Sequence, residues 1–363
     1  MTDAPLVLTA REGAAGVIRL NRPKAMNALT LPMVRLMREA LDEFLVDPAV
    51  ALVILEAAEG RAFCAGGDIR ACAESGRAKD GVAEAFWREE YEMISLMAGA
   101  EKPVVALMDG IVMGGGAGLA MHLRHRVVTE KVRFAMPEVG IGFLPDVGAS
   151  FLPPRLPGAF GRYLALTGES IAAGDMLAAG LADHGVSSSE LPALRQALTE
   201  ARGSVKHEWV ASLIARHADR IEPELIARSG QVIKDAFGLG SLAETTKYLR
   251  SIGPDEPDVG FARETLAIID GRSLFSLTLT EDLLRLGAES KTLEECLQRE
   301  FRAACFCLSS PDFHEGVRAA VIDKDRRPKW PSRLLGSVLP NVDDILAARP
   351  ANSDPAFPGR AEG

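Results

Sequence analysis

The chain has no apolar run approaching the ~18 to 20 residues that a bilayer-crossing helix needs, and its N-terminus, MTDAPLVLTA, has no basic stretch leading into an apolar one. Neither a membrane span nor a secretory leader is expected. Cysteine is sparse and odd in number: Cys64, Cys72, Cys296, Cys305 and Cys307, with no CxxC pair. That argues against a disulfide framework or a thiolate metal knuckle and fits a reducing cytoplasm. Positive charge is also in deficit, with 41 Lys and Arg against 50 Asp and Glu and a net charge of −9. A general nucleic-acid or membrane-surface binder is not expected, although a local basic pocket for a small anionic ligand stays open. Several motifs are missing as well. Nothing matches G-x-x-x-x-G-K-[ST] or G-x-S-x-G, and the loose match GLGSLA (238–243) has no strand before it. The H-x-x-H of His122 and His125 lacks an acid suited to a zinc hydrolase, so both are expected to be structural, and no metal is expected.

What is present is ordinary for a globular protein of one large or two smaller domains: 363 residues, 47% apolar and 25% charged. LVLTA and GVIRL read as a hairpin leading into the polar turn NRPKAMN. Thr30 then opens a helix to Val46, with Val34, Leu36, Met37, Leu41, Phe44 and Leu45 at helical spacing and Pro32 tolerated in its first turn. ALVILEA (51–57) reads as a buried strand. Loop EGRAFCAGGDIR, helical segments to about Gly99, strand KPVVALMDG, glycine turn MGGGAG, helix LAMHL and strand RVVTE follow. This alternation predicts an α/β fold with a largely parallel sheet. From Glu190 to about Asp323 the pattern is mostly helical. The expected organisation is a core over 1–189, a helical region over 190–330 and a tail over 331–363, disordered after Ala348.

The stretch FAMPEVGIGFLPDVG (134–148) sets two carboxylates, Glu138 and Asp146, among apolar residues, Gly and Pro. An ionised carboxylate in such surroundings is penalised unless its pKa rises or a partner compensates. The plain alternative is that each faces water from a turn, Glu138 after Pro137 and Asp146 after Pro145. Two glycine clusters, CAGGD (64–68) and MGGGAG (113–118), each follow an expected strand. Either one alone suits a simple turn. Together their N–H groups can converge on one oxygen, which is what acyl chemistry needs to stabilise an oxyanion.

Taken together, RPKAMNAL, GRAFCAGGDIR, KPVVALMDGIVMGGGAGLA and FAMPEVGIGFLPDVG resemble the crotonase, or enoyl-CoA hydratase/isomerase, superfamily over residues 6 to about 190. The resemblance implies a ββα spiral, an acyl thioester oxygen held by the N–H groups of Gly67 and Gly115, and coenzyme A along the first loop. The backbone of Gly67, Asp68, Ile69 and Arg70 would meet the adenine end, with Lys24 near the pantetheine or phosphates. Hydratases of the family carry a glutamate where this chain has Gly118, and their second glutamate corresponds to Glu138. Losing the first disfavours addition of water across a double bond. REEY (88–91), MPE, PDVG and DFHEGVRAAVIDKDRRPKW (312–330) are similar to a narrower branch, the 3-hydroxyisobutyryl-CoA hydrolases, and extend the resemblance to about residue 330. A small departure is Ala149, where that branch usually has a second glycine. The resemblance implies a thioester hydrolase acting in valine breakdown, in which Glu138 attacks the thioester or activates water, and Asp146 accepts the substrate's 3-hydroxyl. Glu90 is either a further substrate-binding acid or a solvated one on the helix VAEAFWREEYEMI. An atypical hydratase/isomerase and a non-catalytic binding protein of the same fold are the alternatives. No cofactor is expected beyond the coenzyme A of the substrate, nor any nucleic-acid or membrane partner. Relatives of this kind are often trimers or hexamers, so a homo-oligomer is an expectation that the long C-terminal region could limit.

Overall fold

The computed structural model describes residues 4–334, 339–348, 350 and 353–357. The N-terminal half builds two sheets from β1 (Val7–Glu12), β2 (Ala15–Leu20), α1 (Leu31–Val46), β3 (Leu52–Ala57), β4 (Ala62–Cys64), α2 (Ile69–Ala78), α3 (Val82–Ala98), β5 (Val104–Met108), β6 (Ile111–Met113), α4 (Gly115–Met121), β7 (His125–Val128), β8 (Arg133–Ala135), α5 (Phe160–Thr167), β9 (Ile171–Ala172), α6 (Ala173–Ala179) and β10 (His184–Gly185). The larger sheet has the order β1-β2-β3-β5-β7-β10, parallel throughout except for the β1–β2 hairpin. The smaller has the order β4-β6-β8-β9, parallel except at β9. Each turn of the chain therefore gives one strand to each sheet before a helix leads to the next turn: β3 and β4, then β5 and β6, then β7 and β8. This is the ββα spiral.

The strand expected over KPVVALMDG is β5, and the structure adds a strand that was not expected, β6, before the glycine cluster. The chain bends at Asp109–Gly110, so β5 and β6 lie in different sheets. The expected glycine turn also differs, because Gly115 to Gly118 form the first turn of α4. Helix α1 starts after Thr30 as expected, burying Met33, Val34, Met37, Leu41 and Phe44, while Leu36 faces solvent.

Parallel strands covered on both faces read as continuous apolar runs, and β3 is buried from Leu52 to Glu56. One face, through Ile18, Val53 and Leu55, packs into the main core with α1 and α3. The other, through Val17, Leu52, Ile54 and Val105, meets α7 (Leu191–Thr199) and α8 (His207–Ala215). The helices continue as α9 (Leu225–Phe237), α10 (Leu242–Ser251), α11 (Val259–Asp270), α12 (Leu274–Glu289), α13 (Leu293–Cys307), α14 (Pro311–Val317) and α15 (Val342–Ala347). Near residue 190 strand–helix alternation gives way to helices, yet one apolar core includes residues on both sides, from Val7 to Ile345. Helix α13 returns to pack on α3.

In the tail, Asp354 accepts from Arg302 and the Ala356 N–H donates to Glu92 at 2.8 Å. The disorder expected after Ala348 otherwise falls on 349, 351–352 and 358–363, outside the described residues. Among the described residues, no helix is long and apolar enough to cross a membrane.

Candidate active site

Three chain segments and one helix meet around a cavity of about 190 Å³: the loop before α2, the start of α4, the 137–146 stretch, and α3. Its walls hold Gly66, Gly67, Gly114 and Gly115, the carboxylates of Glu90, Glu138 and Asp146, and the apolar side chains of Ile69, Phe86, Trp87, Ile141 and Phe143. A larger cavity of about 300 Å³ lies among Phe275, Phe306 and Leu339. Its carboxylate, Asp312, is already engaged by the hydroxyls of Ser273 and Ser332 and by the Ser332 N–H at 2.9 Å. Chemistry, not size, therefore selects the smaller cavity.

The two glycine turns lie side by side. Leu29 uses the Gly66 carbonyl and the Asp68 N–H, at 2.8 Å each, which leaves the intervening Gly67 N–H pointing away from that pairing. Gly115 opens α4, so its N–H is one of those that a helix leaves without an internal partner. A Cβ at Gly115 would stand 3.4 Å from the Gly67 nitrogen and 2.5 Å from Glu90 Oε1. The space between the two amides and that carboxylate exists because position 115 has no side chain.

All three carboxyls are buried. Glu138 sits in a short turn over Gly114, where an added Cβ would fall 2.8 Å from its Oε1, and its Oε2 has no hydrogen-bond partner. Burial first, and then the charge of Asp146, hold the Glu138 carboxyl well above the ordinary carboxylate range. The same two causes raise Glu90, whose Oε1 is also unpartnered. The solvated-acid alternative for Glu90 fails, since it is 1% exposed. Asp146 is pushed up to about 7, mainly by burial, with the Tyr91 hydroxyl opposing and the charge of Glu300 adding. Tyr91 donates to Asp146 Oδ2 at 2.6 Å.

Of the residues expected from sequence, the cavity brings together Gly67, Gly115, Glu138, Asp146, Glu90 and Ile69. Lys24, Asp68 and Arg70 lie off its walls. Lys24 is exposed in a helical turn at Pro23–Ala25. Asp68 accepts from Arg22 at 3.0 Å and caps α2, beside an apolar pocket that shares Cys72 and Phe86 with the cavity. Arg70 is exposed and pairs with Glu74. His122 and His125 each have a partner within the fold. His122 Nε2 lies 2.9 Å from the Val147 carbonyl and His125 Nε2 lies 2.9 Å from His207 Nδ1, and burial lowers both imidazoles to about 4. Tyr91 and Glu300 were not singled out from the sequence. Glu300 does carry a signal, because it interrupts the apolar stripe Leu293, Cys296, Leu297, Phe301 and Ala304 of α13.

Gly118, where hydratases of the resembled superfamily carry a glutamate, is closed. A Cβ there would lie 2.5 Å from Val147 Cβ and 2.9 Å from Ile94 Cδ1. Overpacking of this kind costs about 1–3 kcal/mol. Gly118→Ala is accordingly expected to lower stability by that amount, read from denaturant midpoints at unchanged m-value. An unaltered midpoint would show that Val147 gives way freely.

A family model described as enoyl-CoA hydratase/isomerase matches residues 15–345. Among curated relatives, the mitochondrial 3-hydroxyisobutyryl-CoA hydrolase of Xenopus tropicalis is 41% identical over 97% of this chain and 91% of its own length. The human protein of the same name is 42% identical over 89% and 83%. These relatives, described as mitochondrial, lend the cytoplasmic expectation no support. Among solved structures, a carnitinyl-CoA dehydratase from Mycobacterium thermoresistibile superposes with a TM-score of 0.87 at 36% identity, covering 98% of this chain and 100% of its own. An enoyl-CoA hydratase from Rhodobacter sphaeroides gives 0.84 at 37%, covering 97% and 100%. With the spiral, the paired glycine turns and a family match running through nearly the whole chain, this protein belongs to the enoyl-CoA hydratase/isomerase family.

Proposed function

We infer that the protein hydrolyses acyl-CoA thioesters, with 3-hydroxyisobutyryl-CoA as its substrate and 3-hydroxyisobutyrate and coenzyme A as products. The observation that carries this reading is Glu138, whose Oε2 has no hydrogen-bond partner, in the same cavity as two unused amides, Gly67 and Gly115. A thioester carbonyl held by those amides gains stabilisation as negative charge develops on its oxygen. Glu138, poorly solvated and therefore reactive, attacks the carbonyl carbon. The C–S bond breaks and coenzyme A leaves as the thiolate; water then cleaves the acyl anhydride, one of its protons going to the thiolate and the other leaving with the acid, which frees Glu138 as the carboxylate. Asp146 accepts the 3-hydroxyl on the oxygen that Tyr91 does not use, and Glu90, whose Oε1 borders the same space as the two amides, is a further substrate-binding acid.

Coenzyme A enters as part of the substrate and no other cofactor is invoked. In this proposal Lys24 and the backbone from Gly67 through Asp68 and Ile69 to Arg70 follow the nucleotide arm. The substrate places the step in valine breakdown. The free cysteines support a reducing compartment without separating the cytoplasm from others. A thiol-release assay over 3-hydroxyisobutyryl-, isobutyryl- and acetyl-CoA tests the proposal. Preference for the hydroxylated acyl group supports it, and absence of thiol release from all three would end it.

A second reading, hydration or dehydration of an enoyl-CoA, is favoured by Glu90, which supplies a second carboxylate to the cavity, and by the names of the two superposed structures. It is disfavoured by the closed Gly118 position.

The raised carboxyls predict a pH dependence. Glu138 and Asp146 act ionised, and both fold with pKa values above the ordinary range, so activity is lost as pH falls through those raised values. The acid limb of kcat/KM should lie near neutrality. A limb near pH ~4, where unperturbed carboxylates titrate, would contradict the buried, mutually repelling site.

A further inference from the structure

Val147, next to Asp146, has φ 53, a left-handed conformation that β-branched residues rarely adopt. Three groups from distant parts of the chain hold it there. Its side chain fills the space over Gly118, and its carbonyl accepts from His122 Nε2 at 2.9 Å. The third is the fully buried Glu300 of α13. Glu300 Oε2 accepts from the Gly148 N–H at 2.7 Å, and its Oε1 accepts from the Ser150 N–H at 2.7 Å and the Ser150 hydroxyl at 2.5 Å. Burial raises the Glu300 carboxyl above its ordinary value, and the three donors that converge on it oppose that rise and favour the anion.

We propose that Glu300 is a positioning residue: from the C-terminal helices its carboxylate clamps the turn at Gly148 and Ser150 and so fixes where Asp146 meets the acyl hydroxyl. The role rests on the hydrolase reading and deepens it. It gives the helical region a function at the site, because the residue that sets the turn reaches across about 150 positions of sequence. The clamp also acts through charge. Asp146 is faced by Glu90 and Tyr91 of α3, Glu138 of its turn, Cys72 of α2, and Glu300 and Cys307 of α13. Removing the Glu300 charge removes one repulsion and lowers the pH at which Asp146 ionises.

Glu300→Gln keeps the shape, but its amide nitrogen faces an N–H that needs an acceptor. Its kcat/KM for 3-hydroxyisobutyryl-CoA should fall about tenfold or more, with a much smaller fall on isobutyryl-CoA and an acid limb moved to lower pH. Amide exchange should quicken at Gly148 and Ser150 relative to the rest of the core. Ser150→Ala, which deletes one donor and leaves the carboxylate, gives a smaller loss in the same direction and serves if Glu300→Gln does not fold. Equal losses on both substrates, with the acid limb unmoved and exchange unchanged at the turn, would overturn the proposal. If the parent enzyme releases no thiol, the hydrolase reading falls, and the exchange rates alone decide whether Glu300 holds the turn.

Discussion

Glu138→Gln is expected to lower turnover of 3-hydroxyisobutyryl-CoA by at least about 10²-fold while acyl-CoA binding is largely kept. The substitution removes the attacking or proton-accepting oxygen and leaves both amide donors, the apolar walls and the Gly114 contact in place. Its effect should therefore appear in kcat much more than in KM. The same variant should be more stable than the parent above neutral pH. The folded pKa of Glu138 is raised, so the parent binds that proton more tightly folded than unfolded. That contribution is fully present below the unfolded carboxyl value and is lost as pH rises through the folded one. A neutral amide does not titrate, so the difference in Tm should grow with pH. Near-normal turnover, or a Tm difference independent of pH, would remove Glu138 from the role. Hydroxylamine trapping in the parent separates an anhydride from direct attack by water.

Asp146→Ala should lower kcat/KM for 3-hydroxyisobutyryl-CoA far more than for isobutyryl-CoA, by roughly 1–3 kcal/mol of differential transition-state energy. A site built to hold a hydroxyl discriminates because its own polar group is left unpaired when the hydroxyl is missing. Here the carboxylate is buried and one oxygen is already bonded to Tyr91, so the other has few alternatives to the substrate. The variant also frees the Tyr91 hydroxyl, which adds a loss common to both substrates. The informative quantity is thus the ratio of the two kcat/KM values. Equal losses would assign Asp146 to proton handling, and no loss on either substrate would show that it is not used.

The acids at 138 and 146 were legible because carboxylates in an apolar stretch demand an account, and the glycine clusters because two of them end neighbouring strands. Glu90 was ambiguous as an isolated acid, yet it shares a helical stripe with Ala83, Phe86, Trp87, Tyr91 and Ile94, all buried. Periodicity along α3 marks it as an acid on an apolar face, as it marks Glu300 on α13. The closure of Gly118 was hidden. It depends on a left-handed valine from another segment, and neither the conformation nor the approach leaves a local trace. Strand β6 was hidden for a related reason, since three residues, Ile111–Met113, between a bend and a glycine cluster are too short a run to mark a strand of a second sheet.

The most direct test follows thiol release and enoyl absorbance in parallel with 3-hydroxyisobutyryl-CoA and crotonyl-CoA as substrates. The closed Gly118 position and the buried site formed by Gly67, Gly115 and Glu138 predict rapid thiol release from the first and little or no hydration of the second. Rapid loss of the enoyl absorbance of crotonyl-CoA, with no thiol released from 3-hydroxyisobutyryl-CoA, would contradict the account and make Glu90 and Glu138 the acid and base of a hydratase.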